Sequence, residues 1–225
     1  MSVPYYADGD VVLFHGDCHE ISDWLAADVL VTDPPYGIGW RRGLNKARAS
    51  SAHSGIVNDQ DVTCRDEALA IWGKHHPSVV FGSFYAPPPA DVRQWLIYRK
   101  PINAGVVGST TGYRRDAEPV YLLGPWPKRT AQWSSVLFTH SSTGNVRSPQ
   151  RQNEHPHAKP LDVMEALISA CPPGVIADPF AGSGSTRVAA RNLGRKAIGV
   201  EIDERYCEVA ARRLAADCLP LEVTP

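Results

Sequence analysis

The chain has 225 residues, a length that suits one domain able to bury a sizeable core. With 43% hydrophobic and 21% charged residues it is typical of a soluble globular protein, and no apolar stretch approaches the roughly 18–20 residues of a membrane span. The net charge of −1 argues against a protein that grips nucleic acid over its whole surface. Five cysteines without a C-x-x-C pair, and an acidic N-terminus unlike a signal peptide, predict a cytoplasmic protein.

Short β-branched runs alternate with helical patterns, which predicts a mostly parallel sheet with helices on both faces. The seven predicted strands are Val11–His15, Val29–Thr32, Val79–Phe81, Trp95–Tyr98, Val120–Leu123, Val175–Ala177 and Ala197–Val200. Helices are predicted at Leu161–Cys171, at Ser185–Leu193 and from Asp203 onward. We therefore expect one α/β domain over residues 1–225.

Two long segments, Gly37–Asp61 and Gly124–Glu154, are predicted to be irregular, and loops of that length in compact domains are functional or mobile. Each overlaps a basic stretch without acids, so one interpretation is that both stretches contact nucleic-acid phosphates. The alternative is two solvated loops whose charges balance acids elsewhere. The candidate phosphate contacts are Arg41, Arg42, Lys128 and Arg129.

A rigid turn follows the second predicted strand, with the sequence Asp33-Pro34-Pro35-Tyr36. Two consecutive prolines cannot continue a sheet or a helix interior, so they fix the direction of the chain. The carboxyl end of a strand is where open α/β sheets build active sites. Asp-Pro-Pro alone would be explained as a structural turn, but the tyrosine makes the pattern more specific.

A second turn, within Val175–Thr186, combines a strand, two glycines and the start of a helix. Gly182 and Gly184 let a ligand approach the backbone closely. Arg187 stands where a dinucleotide fingerprint has its third glycine, and no P-loop lysine follows. Glu201, at the end of the next strand, can accept hydrogen bonds from both ribose hydroxyls of an adenosine, or it is a solvated strand-end acid. The pattern indicates a nucleoside pocket without diphosphate-binding residues.

Together, Asp33–Tyr36 and the sequence Asp-Pro-Phe-Ala-Gly-Ser-Gly at 178–184 resemble the motifs of the DNA amino-methyltransferase family. Because Asp33–Tyr36 comes first, the order resembles the circularly permuted β class. The resemblance implies a Rossmann-like methyltransferase fold with S-adenosylmethionine as the cofactor. Since methyl donor and acceptor must meet, we expect Asp33 and Gly182 at the carboxyl ends of neighbouring parallel strands.

Two further segments fit this resemblance. Gly16-Asp17-Cys18 resembles the family element whose acid contacts the cofactor's adenine, and His155–Pro160 resembles the entry to a helix that touches the methionine part. The cofactor-binding residues implied are Asp17, Cys18, Lys159, Pro160, Asp178, Phe180, Gly182, Gly184, Ser185, Thr186 and Glu201. The middle of the chain, around Arg115–Pro119, fits the family more loosely.

The catalytic residues implied are Asp33, Pro34, Pro35 and Tyr36. An exocyclic amine is a poor nucleophile because its lone pair is shared with the ring. Hydrogen bonds to the Asp33 carboxylate and the Pro34 carbonyl would free that lone pair for attack on the sulfonium methyl. The base must flip out of the duplex, and Tyr36 is the expected stacking platform. No Pro-Cys dipeptide supports covalent C5-cytosine methylation.

The predicted substrate is adenine N6 in double-stranded DNA, with N4-cytosine as the close alternative. RNA or protein-glutamine methylation and a catalytically silent nucleic-acid-binding module are less favoured alternatives. Residues 124–154 occupy the expected position of a short target-recognition insertion. No metal is expected, because no cysteine or acid cluster accompanies His155 and His157. We also expect a bacterial or phage gene and a protein that is a monomer or a homodimer. A cognate restriction enzyme is a possible partner.

Overall fold

The computed structural model describes residues 2–39, 56–101, 104–105, 111–128, 132–139 and 158–216. The strands are β1 (Tyr6–Ala7), β2 (Val11–His15), β3 (Val29–Thr32), β4 (Ser78–Phe81), β5 (Gln94–Arg99), β6 (Ala117–Leu123), β7 (Val136–Phe138), β8 (Ile176–Asp178) and β9 (Ala197–Glu201). The helices are α1 (Thr63–Trp72), α2 (Leu161–Ala170), α3 (Ser185–Asn192) and α4 (Glu204–Ala216). A 3₁₀ turn spans Asp23–Ala26.

All nine strands in this part of the chain form one sheet, in the order β1-β2-β9-β8-β3-β4-β6-β5-β7. Pairing is parallel except at β1–β2, β4–β6 and β5–β6. The inner seven strands are the seven predicted ones, so the predicted mostly parallel sheet is confirmed. The sequence analysis missed β1 and β7, because two and three residues are too few for a periodic pattern. The prediction of an irregular Gly124–Glu154 was wrong at β7.

Helices cover both faces of the sheet, as predicted. Strand β3 is buried at every position, as expected of a central parallel strand with both faces covered. Its residues Val29 and Val31 pack in the cluster that contains Met164 of α2. On the other face Leu30 packs with Trp24 of the 3₁₀ turn and with α1. Helix α4 covers β2 on the α2–α3 face, where Leu13 packs on Cys207 and Ala210.

Helix α1 was not predicted, and its sequence explains why. It buries only Arg65, Ala68 and Trp72, so an arginine occupies one of three core positions and breaks the apolar pattern. The Arg65 guanidinium donates to the Pro87 carbonyl at 2.8 Å and to Asp66 at 2.8 Å. The N-cap residue, Val62, gives no side-chain cap, although the Asp61 carboxylate one residue earlier accepts from the Thr63 amide at 2.8 Å. The missing signal was therefore the apolar periodicity.

The two central turns lie side by side, which confirms the expectation for Asp33 and Gly182. Strands β3 and β8 pair in parallel, with Val29 opposite Ile176. Each strand leads directly into one turn, so both turns open at the same edge of the sheet. A hydrogen bond of 2.7 Å from Thr32 Oγ1 to Asp178 Oδ1 joins them.

None of the helices described above has the length and apolar character that a membrane crossing requires.

Trp24 ties the Gly16–Cys18 turn to the core. Its side chain is fully buried, its Nε1 donates to the Cys18 carbonyl at 2.9 Å, and its ring stacks on Trp72 with centroids 5.7 Å apart. We expect Trp24→Ala to lower the free energy of unfolding by about 3–5 kcal/mol in urea titrations, because a buried aromatic ring is removed. The matched control Trp133→Ala, at a half-exposed tryptophan, should cost about 0.5 kcal/mol. Equal losses in the two variants would contradict this assignment.

Candidate active site

A cavity of about 340 Å³ lies at the carboxyl edge of the sheet, between the ends of the parallel strands. Both central turns line it, together with the ends of β2, β4 and β9 and with β6. The predicted catalytic and cofactor residues that line it are Asp17, Cys18, Asp33, Pro34, Pro35, Tyr36, Lys159, Asp178, Phe180, Gly182, Ser185, Thr186 and Glu201. Gly184 and Pro160 stand just behind it, as the N-caps of α3 and α2.

The Asp33 carboxylate is held by two donors. The Tyr36 hydroxyl donates to Oδ1 at 2.6 Å, and Lys159 Nζ donates to Oδ2 at 2.7 Å. Lys159 also contacts the Tyr36 hydroxyl at 2.9 Å and lies 5.3 Å from the centre of its ring. Burial, followed by the nearby carboxylates of Asp33 and Glu118, raises the pKa of Tyr36 well above its usual range. Tyr36 is therefore a neutral hydrogen-bond donor at physiological pH.

Glu118 of β6 completes this group of charges, and sequence reasoning did not identify it. Its carboxylate lies 2.6 Å from Lys100 Nζ, 3.4 Å from Lys159 Nζ and 3.4 Å from the Tyr36 hydroxyl oxygen. Burial disfavours the ionised form, but the two ammonium groups outweigh burial and lower the pKa of Glu118. Burial likewise works against the Lys159 ammonium, yet Asp33 and Glu118 outweigh it and raise the pKa of Lys159.

The second turn presents backbone rather than side chains to the cavity. Gly182 and Gly184 have φ angles of +49° and +88°, a left-handed conformation that residues with a side chain rarely adopt. A side-chain carbon at Gly182 would meet nothing within 4 Å, so the backbone there is open to a ligand. Thr186 adds a side-chain hydrogen bond to Asp178 behind the turn. The turn combines a backbone that is open at Gly182 with a helix N-terminus, which suits electronegative ligand groups.

Glu201 braces the same turn from β9. Its Oε2 accepts from the Gly182 amide at 2.7 Å, and its Oε1 accepts from the Asp203 amide at 2.8 Å. Burial raises the pKa of Glu201 and also that of Asp178, which is 3% exposed. Each Glu201 oxygen keeps a lone pair for a further donor, so the geometry is compatible with the predicted contacts to ribose hydroxyls.

Asp17 and Cys18 lie where β2 ends. Burial opposes ionisation of Asp17, but hydrogen bonds from the His19 amide and ring outweigh it and lower its pKa. Burial raises the pKa of the Cys18 thiol to about 12, so Cys18 is protonated and unsuited to nucleophilic attack. Ligand-type atoms of Asp17, Cys18 and His19 lie within 4.8 Å of one another, but Asp17 and His19 already bond to each other.

The predicted DNA contacts are only partly within the described residues. Lys128 is exposed and does not line the cavity. Arg41, Arg42 and Arg129 lie outside the described residues, as do His155 and His157. A second feature that sequence reasoning missed does line the cavity, where the Arg115 guanidinium lies 4.3 Å from the centre of the exposed Tyr85 ring.

Comparison with known proteins gives one consistent answer. A family model described as DNA methylase matches residues 121–212. The type II methyltransferase M.ScaI of Streptomyces caespitosus is 29% identical over 97% of this chain and 86% of its own length. The family model and this relative support the DNA amino-methyltransferase family that the sequence motifs resemble. The same matches support DNA methylation, the activity class that the two turns implied.

Solved structures give the same fold. The crystal structure of an M1.HpyAVI–SAM complex aligns with a TM-score of 0.60 at 23% identity, covering 90% of this chain and 99% of that one. The PvuII DNA methyltransferase (cytosine-N4-specific) aligns with a TM-score of 0.68 at 15% identity, covering 98% and 90%. The chain therefore has the Rossmann-like α/β fold that the sequence analysis predicted.

The charges around Glu118 make stability depend on pH. Because the folded-state pKa of Glu118 is lowered, its ionised form stabilises the protein at neutral pH, and this stabilisation is lost as the pH falls through the lowered pKa. Glu118→Gln should lower the free energy of unfolding by about 2 kcal/mol at pH 7, as measured by urea titration. The difference should shrink as the pH falls below about 5.

The control for this comparison is Glu20→Gln, which changes an exposed carboxylate. Its unfolding curve should follow that of wild type at each pH. A Glu118→Gln deficit that stays constant or grows in acid would show that the carboxylate is not stabilised by the two lysines.

Proposed function

We propose that this enzyme methylates the N6 amino group of an adenine that is flipped out of double-stranded DNA. The observation that carries the proposal is the adjacency of the two turns at the edge of β3 and β8. Asp33, which can receive an amine, and Glu201, which can receive a ribose, line one cavity. An acceptor carboxylate beside a nucleoside pocket supports transfer between two bound groups better than binding alone.

The cofactor end of the cavity is formed by the glycine turn and the acids behind it. We assign the ribose hydroxyls to Glu201, the adenine to Asp17, and the backbone approach to Gly182. S-adenosylmethionine, when bound, supplies an activated methyl group on a sulfonium. The protein supplies a largely preformed site, since the Glu201 and Asp178 carboxylates are already fixed by backbone and hydroxyl donors.

The acceptor end is formed by the Asp33 turn. We assign one amine hydrogen to the Asp33 carboxylate and the other to the Pro34 carbonyl, which biases the nitrogen toward a tetrahedral geometry. The freed lone pair would attack the methyl group that the sulfonium supplies, with the neutral thioether as the leaving group, and the methylated amine would release its extra proton to solvent. Positioning and fixed charges therefore account for the catalysis.

Lys159 must share or leave Asp33 during this step, because its ammonium occupies Oδ2. Glu118 offers a second partner 3.4 Å away, so the lysine can shift without losing its counter-charge. The family resemblance assigns Lys159 to the methionine part of the cofactor. If Lys159 moves from Asp33 to the methionine part when the cofactor binds, the Asp33 carboxylate becomes free to accept the target amine.

The DNA contacts are assigned by charge. We propose that Arg41, Arg42, Lys128 and Arg129 neutralise phosphates near the flipped base. Residues 124–154 are proposed as the short target-recognition segment. These assignments follow from the sequence pattern, and the exposed side chain of Lys128 is compatible with them.

The catalytic assignment is tested by Asp33→Ala. Removing the amine acceptor should lower methyl transfer by about 10²–10³ in rate, the typical cost of losing one preorganised polar contact. Binding of S-adenosylmethionine should change little, because Glu201 and the glycine turn are untouched. Tritiated methyl transfer and calorimetric titration measure the two effects.

Two controls accompany this variant. Asp10→Ala removes an exposed carboxylate just before β2, at the opposite end of the strands, and should retain the parent rate. Glu201→Gln should weaken cofactor binding first. A folded Asp33→Ala variant that methylates DNA at the parent rate would refute the assignment.

The adenine assignment rests on the aspartate of Asp33–Tyr36, since in this family D-P-P-Y leans toward adenine. Mass spectrometry of nucleosides from DNA methylated by the wild-type enzyme should show N6-methyldeoxyadenosine. Unmethylated plasmid DNA incubated without the enzyme is the control. If the product is N4-methyldeoxycytidine, the target base is cytosine and the adenine assignment is wrong, but the proposed catalytic geometry is unchanged.

A further inference from the structure

Arg187 of α3 is a fully buried cation that the proposed reaction does not use. Its side chain is 0% exposed, and none of its three guanidinium nitrogens has a hydrogen-bond partner among the described residues. A guanidinium stays protonated at physiological pH, and burying a charge is costly unless other charges compensate it. Arg187 therefore contributes charge and volume here rather than a hydrogen-bonded link.

Two glycines make room for this guanidinium directly beneath the cofactor turn. A side-chain carbon at Gly199 of β9 would collide with Nη1 of Arg187. A side-chain carbon at Gly184 would lie 3.2 Å from Nη2. The guanidinium thus sits between the glycine turn and the strand that ends at Glu201.

The charged and titratable groups that face Arg187 come from three elements. Asp178, which ends β8, lies opposite Gly199 in the β8–β9 pairing, and Glu201 ends β9. Burial lowers the pKa of Arg187, while these two buried acids act in the opposite direction and favour its charged form. From α4 come Cys207, whose pKa is raised to about 12 chiefly by burial, and Arg213, which donates to the Ser183 carbonyl at 2.8 Å. The thiol is neutral at physiological pH, so the two carboxylates compensate Arg187.

Asp203 is the remaining charged group beside Glu201. It forms an ion pair with Arg205 at the surface, and this pairing reduces its influence on Glu201. Burial raises the pKa values of Glu201 and Asp178, whereas the charge of Arg187 works in the opposite direction for both. Arg187 thus opposes the protonation of the acids that line the cofactor pocket.

We propose that Arg187 is a positioning residue that keeps Glu201 and Asp178 ionised, so that cofactor binding does not weaken within the physiological pH range. The proposal rests on the assignment of Glu201 to the ribose under the proposed function. An ionised Glu201 accepts hydrogen bonds from both its backbone donors and a ribose hydroxyl. A protonated Glu201 would lose an acceptor position and present a donor instead.

The expected signature is a pH-dependent loss of cofactor affinity when the charge is removed. In Arg187→Met the already raised pKa of Glu201 rises further, so binding is retained above that pKa and lost as the pH falls through it. The Kd for S-adenosylmethionine, divided by that of wild type at the same pH, should be about 2 or less at pH 9. It should increase to about 10 at pH 6, because binding then requires the loss of a proton. Dividing by wild type cancels the titration of the cofactor itself.

The matched control is Arg187→Lys, which keeps the positive charge but changes the shape. Its Kd ratio should be the same from pH 6 to pH 9, whatever its size. A purely structural role would give both variants a pH-independent loss. Arg187→Gln, neutral and polar, should repeat the pH dependence of Arg187→Met and serves if the Met variant does not fold.

The double variant Arg187→Met/Glu201→Gln should lose the pH dependence, because the group that titrates is gone. A folded neutral variant whose Kd ratio is constant from pH 6 to pH 9 would overturn the proposal for Arg187. Glu201→Gln that binds the cofactor as wild type does would instead overturn the ribose assignment.

Wild-type protein provides a test that no folding failure can obscure. The ¹³C carboxyl resonance of Glu201 should report an ionised side chain throughout pH 6–9. A protonated Glu201 at pH 7 in wild type would also overturn the proposal.

Discussion

The parallel pairing of β3 with β8 is the constraint on which the rest of the site depends. The two motifs are separated by more than half of the chain, and only this pairing brings Asp33 and the glycine turn to the same edge. The hydrogen bond between Thr32 and Asp178 fixes the relative position of the two turns at the point where the strands end. A transfer reaction needs this arrangement, because a methyl group moves only between groups that are already in contact.

Each half of the cavity pairs acids with cations, which are partly buried at the acceptor end and buried at the cofactor end. At the acceptor end, Lys159 and Lys100 lie within 4 Å of Asp33 or Glu118. At the cofactor end, Arg187 faces Asp178 and Glu201 without bonding to them. Lys159 lies close enough to both Asp33 and Glu118 to change partners during the reaction. Arg187, in contrast, acts on the two acids only through its charge. This difference suits an acceptor end that must exchange partners and a cofactor end that must stay fixed.

The sequence was sufficient to predict the seven central strands, three helices and both turns, because each has a strong local signal. Asp33–Tyr36 and the glycine turn combine prolines or glycines with an acid, and such patterns do not depend on distant residues. Glu118 and Arg187 could not be assigned a role in this way. Glu118 reaches the site only because β6 pairs with β4 across the sheet, and Arg187 matters only because Gly199 leaves room for it. Contacts between distant segments carry no local pattern that reveals them.

The central claim is that one cavity holds methyl donor and acceptor together, and a crystal structure with sinefungin, a stable analogue of the cofactor, tests it most directly. We expect the ribose hydroxyls of the analogue on Glu201 and the amine that replaces the sulfonium methyl directed at the Asp33 carboxylate. An analogue bound with its ribose away from Glu201, or with that amine directed away from Asp33, would contradict the claim.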